Sequence, residues 1–305
     1  MTFDWLAAKS LDSSSGVEHR AIPIRSVDGA TSELLVTAAP NAQLGLLWIP
    51  ALGVPARHYE AFAAALSRQG IAVARHEWRG IGSSSVRASR ESDWGYRELL
   101  NDVTDSLAAA QASAPGLRWL VGGHSLGGQF AAMAFALYRD AIAGLIVVAS
   151  GMPYWKNFAG PRGLGLRAIF SVAPAIARWR GYFPGRRLRF GGNEAHGVMR
   201  DWAQTGRSGR YGVSDVNVDI EAAFARRQGQ ALGVWLDEDW FTPRRSFDHL
   251  LDKLASADAT HVVISRDDFN GDAADHFGWI TRSDPVVDTI VEWAVSNEFL
   301  TKGSA

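Results

Sequence analysis

The sequence predicts an α/β protein: a mostly parallel, twisted sheet with helices on both faces, interrupted once by a long inserted segment. Three observations carry this. Short apolar runs of strand length alternate with helix-periodic stretches through the first half of the chain. The later runs are separated by enough residues for a helical crossover, as parallel neighbours require. The alternation stops after Ala149 and resumes only at Ala231, a gap of about 80 residues where a crossover needs a dozen or so.

Element by element, Val17–Arg25 and Leu34–Ala38 flank Asp28-Gly29, a turn pair between two extended segments. Gly45–Ile49 is an apolar run stopped by Pro50, hence a buried strand. Tyr59–Arg68 has helical apolar spacing with Gly70 beyond it as a stop, and Ile71–Ala74 is the next strand. Asp93–Ala112 is a helix ending before Pro115; Trp119–Val121 is a strand, Leu126–Tyr138 a helix and Ile142–Ala149 a strand. Past the gap come the strand Ala231–Leu236, the helix Phe247–Ala255, the strand Thr260–Ser265 and the helix Asp284–Phe299. The gap holds Pro153, Pro161, Pro174 and Pro184 among many glycines, which breaks the regular alternation. The expected organisation is therefore a sheet domain in two parts, 1–151 and 216–305, with a lid inserted at 152–215.

Composition narrows the function classes. At 305 residues and 47% hydrophobic, the chain can bury a large core. A net charge of −1 excludes a chain-wide basic footprint for nucleic acid. With no cysteine, disulfides, thiolate catalysis and Cys-based zinc sites are excluded, and neither metal nor cofactor is expected. The first residues lack a basic segment followed by an apolar run, and no stretch has the length of a membrane span. A cytoplasmic location is the expectation. Most of the twelve tryptophans are expected to fill the core.

Gly123-His124-Ser125-Leu126-Gly127 sits between a strand and a helix. A serine in that tight turn presents its hydroxyl at the sheet's end, and the turn demands small residues around it, supplied by Gly123, Gly127 and Gly128. A serine nucleophile needs a base, and the base a carboxylate. Of the histidines beyond the insertion, His249 falls within a helix and His261 at the start of a strand. His276 falls in the loop after the last strand, where C-terminal strand ends gather ligands, and is the expected base. The acid is expected after Ala231–Leu236. Asp239 is preferred because Pro243 closes its turn, with Glu238 as the neighbouring alternative. Two backbone N–H donors are needed for an oxyanion. Leu126 is one; Leu52, or Gly53, in the loop after Gly45–Ile49 is the other.

These strings, with Pro50-Ala51-Leu52-Gly53-Val54, Arg79-Gly80-Ile81-Gly82-Ser83, Gly181-Tyr182-Phe183-Pro184-Gly185 and His276-Phe277-Gly278, resemble the α/β-hydrolase superfamily from about Gly45 to Trp293. Within it the chain is similar to the serine aminopeptidase and monoglyceride-lipase branch, and more narrowly to uncharacterised bacterial predicted α/β hydrolases. Relatives often carry His-Gly at the place of Pro50-Ala51, and Asp at that of Glu77. Glu77 and Arg79 are expected to form a structural ion pair. The resemblance implies an α/β-hydrolase fold and a serine hydrolase acting on a small-molecule ester or thioester through an acyl-enzyme. An acyltransferase with the same triad, or a binding protein retaining the fold, are the alternatives.

Charge is unevenly distributed. Between Gly151 and Ser214 stand eleven basic residues and two acidic ones, Glu194 and Asp201. This segment either docks on an acidic sheet domain, meets an anionic or lipid-like ligand, or forms a partner surface. Arg186 and Arg187 are the residues expected at a cleft rim. Leu166, Ile169, Phe170, Ala173, Ile176 and Trp179 give an apolar stripe expected to break at Pro174.

Overall fold

The computed structural model describes residues 16–188, 190–213 and 218–301. In chain order, the first part holds β1 (Glu18–Arg25), β2 (Thr31–Ala38), β3 (Leu44–Ile49), α1 (Glu60–Arg68), β4 (Ile71–Arg75), α2 (Tyr96–Ser113), β5 (Arg118–His124), α3 (Leu126–Leu137) and β6 (Gly144–Val148). Then come α4 (Pro161–Arg180), β7 (Tyr182–Pro184), α5 (Gly185–Leu188), β8 (Asn193–Ala195), α6 (His196–Ser208) and α7 (Ile220–Arg226). The chain returns with β9 (Gln230–Leu236), α8 (Arg244–Asp252), β10 (Asp258–Ile264) and α9 (Asp284–Ser296).

Eight strands form one sheet in the order β1-β2-β4-β3-β5-β6-β9-β10. From β4 to β10 every pairing is parallel, while β1 and β2 add an antiparallel edge. The Asp28-Gly29 pair does turn the first hairpin: Gly29 takes φ 88°, and the Asp28 carboxylate accepts the Ala30 N–H. Central strands are buried on both faces, and their alternation sorts two cores. Leu44, Leu46 and Trp48 of β3 face the layer of α1 and α9; Leu47 and Ile49 face the layer of α2 and α3. Trp48, Trp279 and five more of the eleven tryptophans among the described residues fill these cores, as composition suggested.

Chain order reverses at β3, whose neighbours are β4 on one side and β5 on the other. Such a switch point leaves a crevice at the C-terminal strand ends. The loop after β3 and the turn after β5 therefore meet there.

Several expectations are corrected. Helix α2 begins at Tyr96, three residues after Asp93, and β5 runs on to His124, directly before Ser125. Helix α4 does not break at Pro174. A proline leaves the carbonyl four residues back without its donor; here that carbonyl is Phe170, and the Arg207 guanidinium of α6 donates to it. Glu77 and Arg79 do not pair with each other. Arg79 forks onto Asp102 and Asp28, whereas Glu77 accepts the N–H groups of Ala56 and Ser83.

The β6–β9 segment docks through the apolar core it shares with α2 and α3, Phe170, Met199 and Trp202 among its contributions, and through helix ends. Asp201 of α6 accepts the Tyr96 N–H at the start of α2, and Asp93, just before α2, accepts the Gly197 N–H at the start of α6. Each carboxylate thus caps the other element's free N-terminal donors. Among the basic residues of this segment, Lys156, Arg162, Arg167 and Arg180 lie over aromatic rings.

Candidate active site

Ser125 joins β5 to α3 with φ 54° and ψ −122°, a conformation costly for any side chain but glycine. Its neighbours permit it by lacking side chains. A Cβ on Gly127 would strike the carbonyls of Ile49 and Pro50, one on Gly123 the backbone of Gly127, and one on Gly128 the Ser150 hydroxyl. The resulting turn lets β5 and α3 pack closely against β3 while the serine points into the crevice.

His276 arrives from the loop after β10. Its Nε2 lies 3.0 Å from Ser125 Oγ, and its Nδ1 lies 2.7 Å from Asp239 Oδ2. The other oxygen of Asp239 accepts the N–H groups of Phe241 at 2.8 Å and Thr242 at 2.9 Å, which fixes the carboxylate's rotation. Asp239 and His276 are both buried. Glu238 turns the other way, accepting from Arg266 and from the Ala274 N–H. His249 pairs with Asn157, half-buried and away from the serine, and His261 lies mid-strand in β10 beside Asp248.

Leu52 and Leu126 both line the cleft over Ser125, and no bond from either N–H to a protein acceptor is seen among the described residues. Leu126 is the first residue of α3, where an N–H has no intrahelical partner. The Ala51 N–H, by contrast, is occupied by the Tyr59 hydroxyl at 3.0 Å. That hydroxyl in turn lies 2.8 Å from His124 Nδ1. A hydroxyl that accepts from Ala51 keeps its proton and a second lone pair, so it can bond His124 Nδ1 as donor or as acceptor. Burial, with His276 adjacent, holds the His124 imidazole well below its usual pKa, so it is neutral.

Three features here were not found from the sequence. Tyr59 and His124 tie the β3 loop to the ring beneath His276, the two imidazoles being 4.8 Å apart. Phe241 stacks on His276 at 4.9 Å. Asp275 accepts the N–H groups of Phe277 and Gly278, folding the loop just after His276; its spacing to Gly278 was the available signal.

The cleft over Ser125 has a volume of about 510 Å³ and walls that are mainly apolar, including Leu166, Ile169, Phe190, Trp202 and Trp240. Arg162, over the Trp240 ring, is the one Arg or Lys in its lining among the described residues. The rim expectation for Arg186 and Arg187 is corrected: neither lines this cleft, and Arg186 faces buried Glu194 instead. A second hollow of about 640 Å³ lies against β10 and α9, without Ser125, Asp239 or His276 in its walls.

The fold is shared with solved α/β hydrolases. The chain is similar to a hydrolase from Pseudomonas aeruginosa PA01 at 18% identity and TM-score 0.62, covering 90% of this chain and 98% of that one. It is similar to an esterase of Pyrococcus furiosus at 11% identity and TM-score 0.62, covering 95% and 96%. It also resembles the thioesterase domain from the curacin biosynthetic pathway at 14% identity and TM-score 0.58, covering 90% and 99%. No curated protein matches the sequence. Residues 46–204, more than half of the chain and spanning both the β3 loop and the serine turn, match the serine aminopeptidase, S33, family model, and the chain belongs to that family of α/β hydrolases.

Proposed function

We propose that the protein is a serine hydrolase that cleaves a carboxylic ester or thioester through an acyl-enzyme on Ser125. The observation that carries this reading is the unbroken line from Asp239 through His276 to Ser125 Oγ. His276 Nε2 takes the hydroxyl proton as Oγ attacks the acyl carbon, and Asp239 holds Nδ1–H and stabilises the imidazolium. The N–H groups of Leu52 and Leu126 receive the developing oxyanion. His276 then returns the proton to the leaving group. Water, deprotonated by the same ring, releases the acid.

Residues 152–215 act as the lid in this reading, since α4 supplies Leu166 and Ile169 to the cleft wall. The apolar wall favours a medium or long acyl chain over acetyl. A p-nitrophenyl ester chain-length series, run beside acyl-CoA thioesters, tests this. Turnover rising from acetyl to octanoyl and vanishing in Ser125→Ala supports the reading. Turnover untouched by Ser125→Ala refutes it.

A further inference from the structure

Helix α4 is apolar on two faces, and only one is packed. Gly163, Phe170, Ala173 and Ala177 are buried against the protein. On the opposite face Leu164, Ala168, Val172, Ala175 and Trp179 recur at three- and four-residue steps, all exposed. Trp179 is 72% exposed, Leu164 62% and Val172 55%. Of the nine large apolar side chains exposed among the described residues, five lie between Pro161 and Leu188. By helical geometry Arg167 and Arg178 border this outer face on one side and Arg162 on the other.

Within residues 151–214 the exposed charge is one-sided, while Glu91 stands exposed next to Arg90, which donates to the Trp179 carbonyl. Glu194 and Asp201, the acidic residues between Gly151 and Ser214, are both buried. Lys156, Arg162, Arg167, Arg178, Arg186 and Arg187 are exposed. The outward surface here therefore combines apolar side chains, a tryptophan and cations.

We propose that the outer face of α4 is a docking surface for an anionic lipid bilayer. The helix lies in the interface with Leu164, Val172 and Trp179 among the acyl chains and its arginines among the headgroup phosphates. A second copy of this chain fits the surface poorly. A two-fold contact sets the same patch against itself and so gathers the basic residues of both copies in one contact. The placement also has a consequence for the cleft, because Gly165, Leu166 and Ile169 of the same helix line its wall beside Ser125. A docked α4 would set this cleft wall alongside the bilayer surface.

The test is co-flotation with vesicles, read on Ser125→Ala so that it does not depend on turnover. The protein is expected to float with vesicles of phosphatidylcholine and phosphatidylglycerol, to stay behind with phosphatidylcholine alone, and to be released as salt rises to about 0.5 M. Arg167→Gln and Arg178→Gln should each lower partitioning about fivefold. Leu164→Ser with Val172→Ser and Trp179→Ser should abolish it, with the melting temperature kept because these side chains already face water. Failure to float with anionic vesicles at low salt overturns the proposal, as does undiminished flotation of the triple variant. Dimerisation in solution that the triple variant abolishes, without vesicle binding, assigns the face to a second copy and overturns it as well.

Discussion

Replacing Asp239 by Asn separates the orienting carboxylate from mere polarity at that position. The carboxylate accepts two backbone N–H groups on one oxygen and His276 Nδ1–H on the other. An asparagine keeps the two backbone bonds only if its carbonyl oxygen faces Phe241 and Thr242. Its amide group then points at His276 Nδ1 and donates to it. The ring answers by moving its proton to Nε2, the nitrogen 3.0 Å from Ser125 Oγ, and so cannot accept the hydroxyl proton. The wrong tautomer cost a chymotrypsin-type protease about 10⁴ in kcat, or about 5.4 kcal/mol of barrier. We expect a similar loss of kcat on a p-nitrophenyl ester, with KM changed far less and the thermal midpoint nearly kept. Glu238→Gln, at a carboxylate that accepts from Arg266 and the Ala274 N–H, should stay within about threefold of wild type. An Asp239→Asn enzyme retaining more than a tenth of wild-type kcat would refute the tautomer argument.

Other changes probe the scaffold. Ser125→Gly should abolish turnover while raising stability by about 1 kcal/mol, because relief of the φ 54° strain exceeds the added freedom of the unfolded chain; a lower urea midpoint contradicts this. Tyr59→Phe strands the Ala51 N–H and His124 Nδ1 in the core and should cost about 2 kcal/mol; a loss within about 0.5 kcal/mol of zero in urea titrations would count against the network. Glu194 is pushed up to about 7 by burial, against opposing help from the Gly192 N–H and Arg186. Its folded pKa thus lies above the unfolded 4.5, so the native state holds the extra proton and stability falls as pH rises between about 4.5 and 7. Glu194→Gln should remove that fall, by up to about 3 kcal/mol at pH 8, and a stability difference that does not grow from pH 5 to pH 8 contradicts it.

The fold was readable wherever one physical cause dominated. Doubly buried strands such as Leu44–Ile49 announce themselves as unbroken apolar runs, and the serine turn does so through the glycines it needs. Features decided by distant partners were not readable. Pro174 reads as a helix breaker because its remedy, Arg207, stands 33 residues away on another helix. Arg79 suggests a partner in nearby Glu77, yet it folds against Asp28 and Asp102, which only the sheet brings together. At the candidate site, His276 stands out by its place in the loop after the last strand. Asp239 and Glu238 differ only in which way a turn rotates, and the N–H groups of Phe241 and Thr242 set that rotation. Charge counting located the basic segment but not the direction of its side chains; most point to water, and Arg162 alone reaches the cleft lining among the described residues.

The most direct test of the account is fluorophosphonate labelling followed by peptide mapping. One modified residue is expected, Ser125, labelled rapidly in the wild-type protein, not at all in Ser125→Ala, and far more slowly in His276→Ala. A folded wild-type protein that takes no label, or takes it on another serine, would contradict the claim that Ser125 is an activated nucleophile.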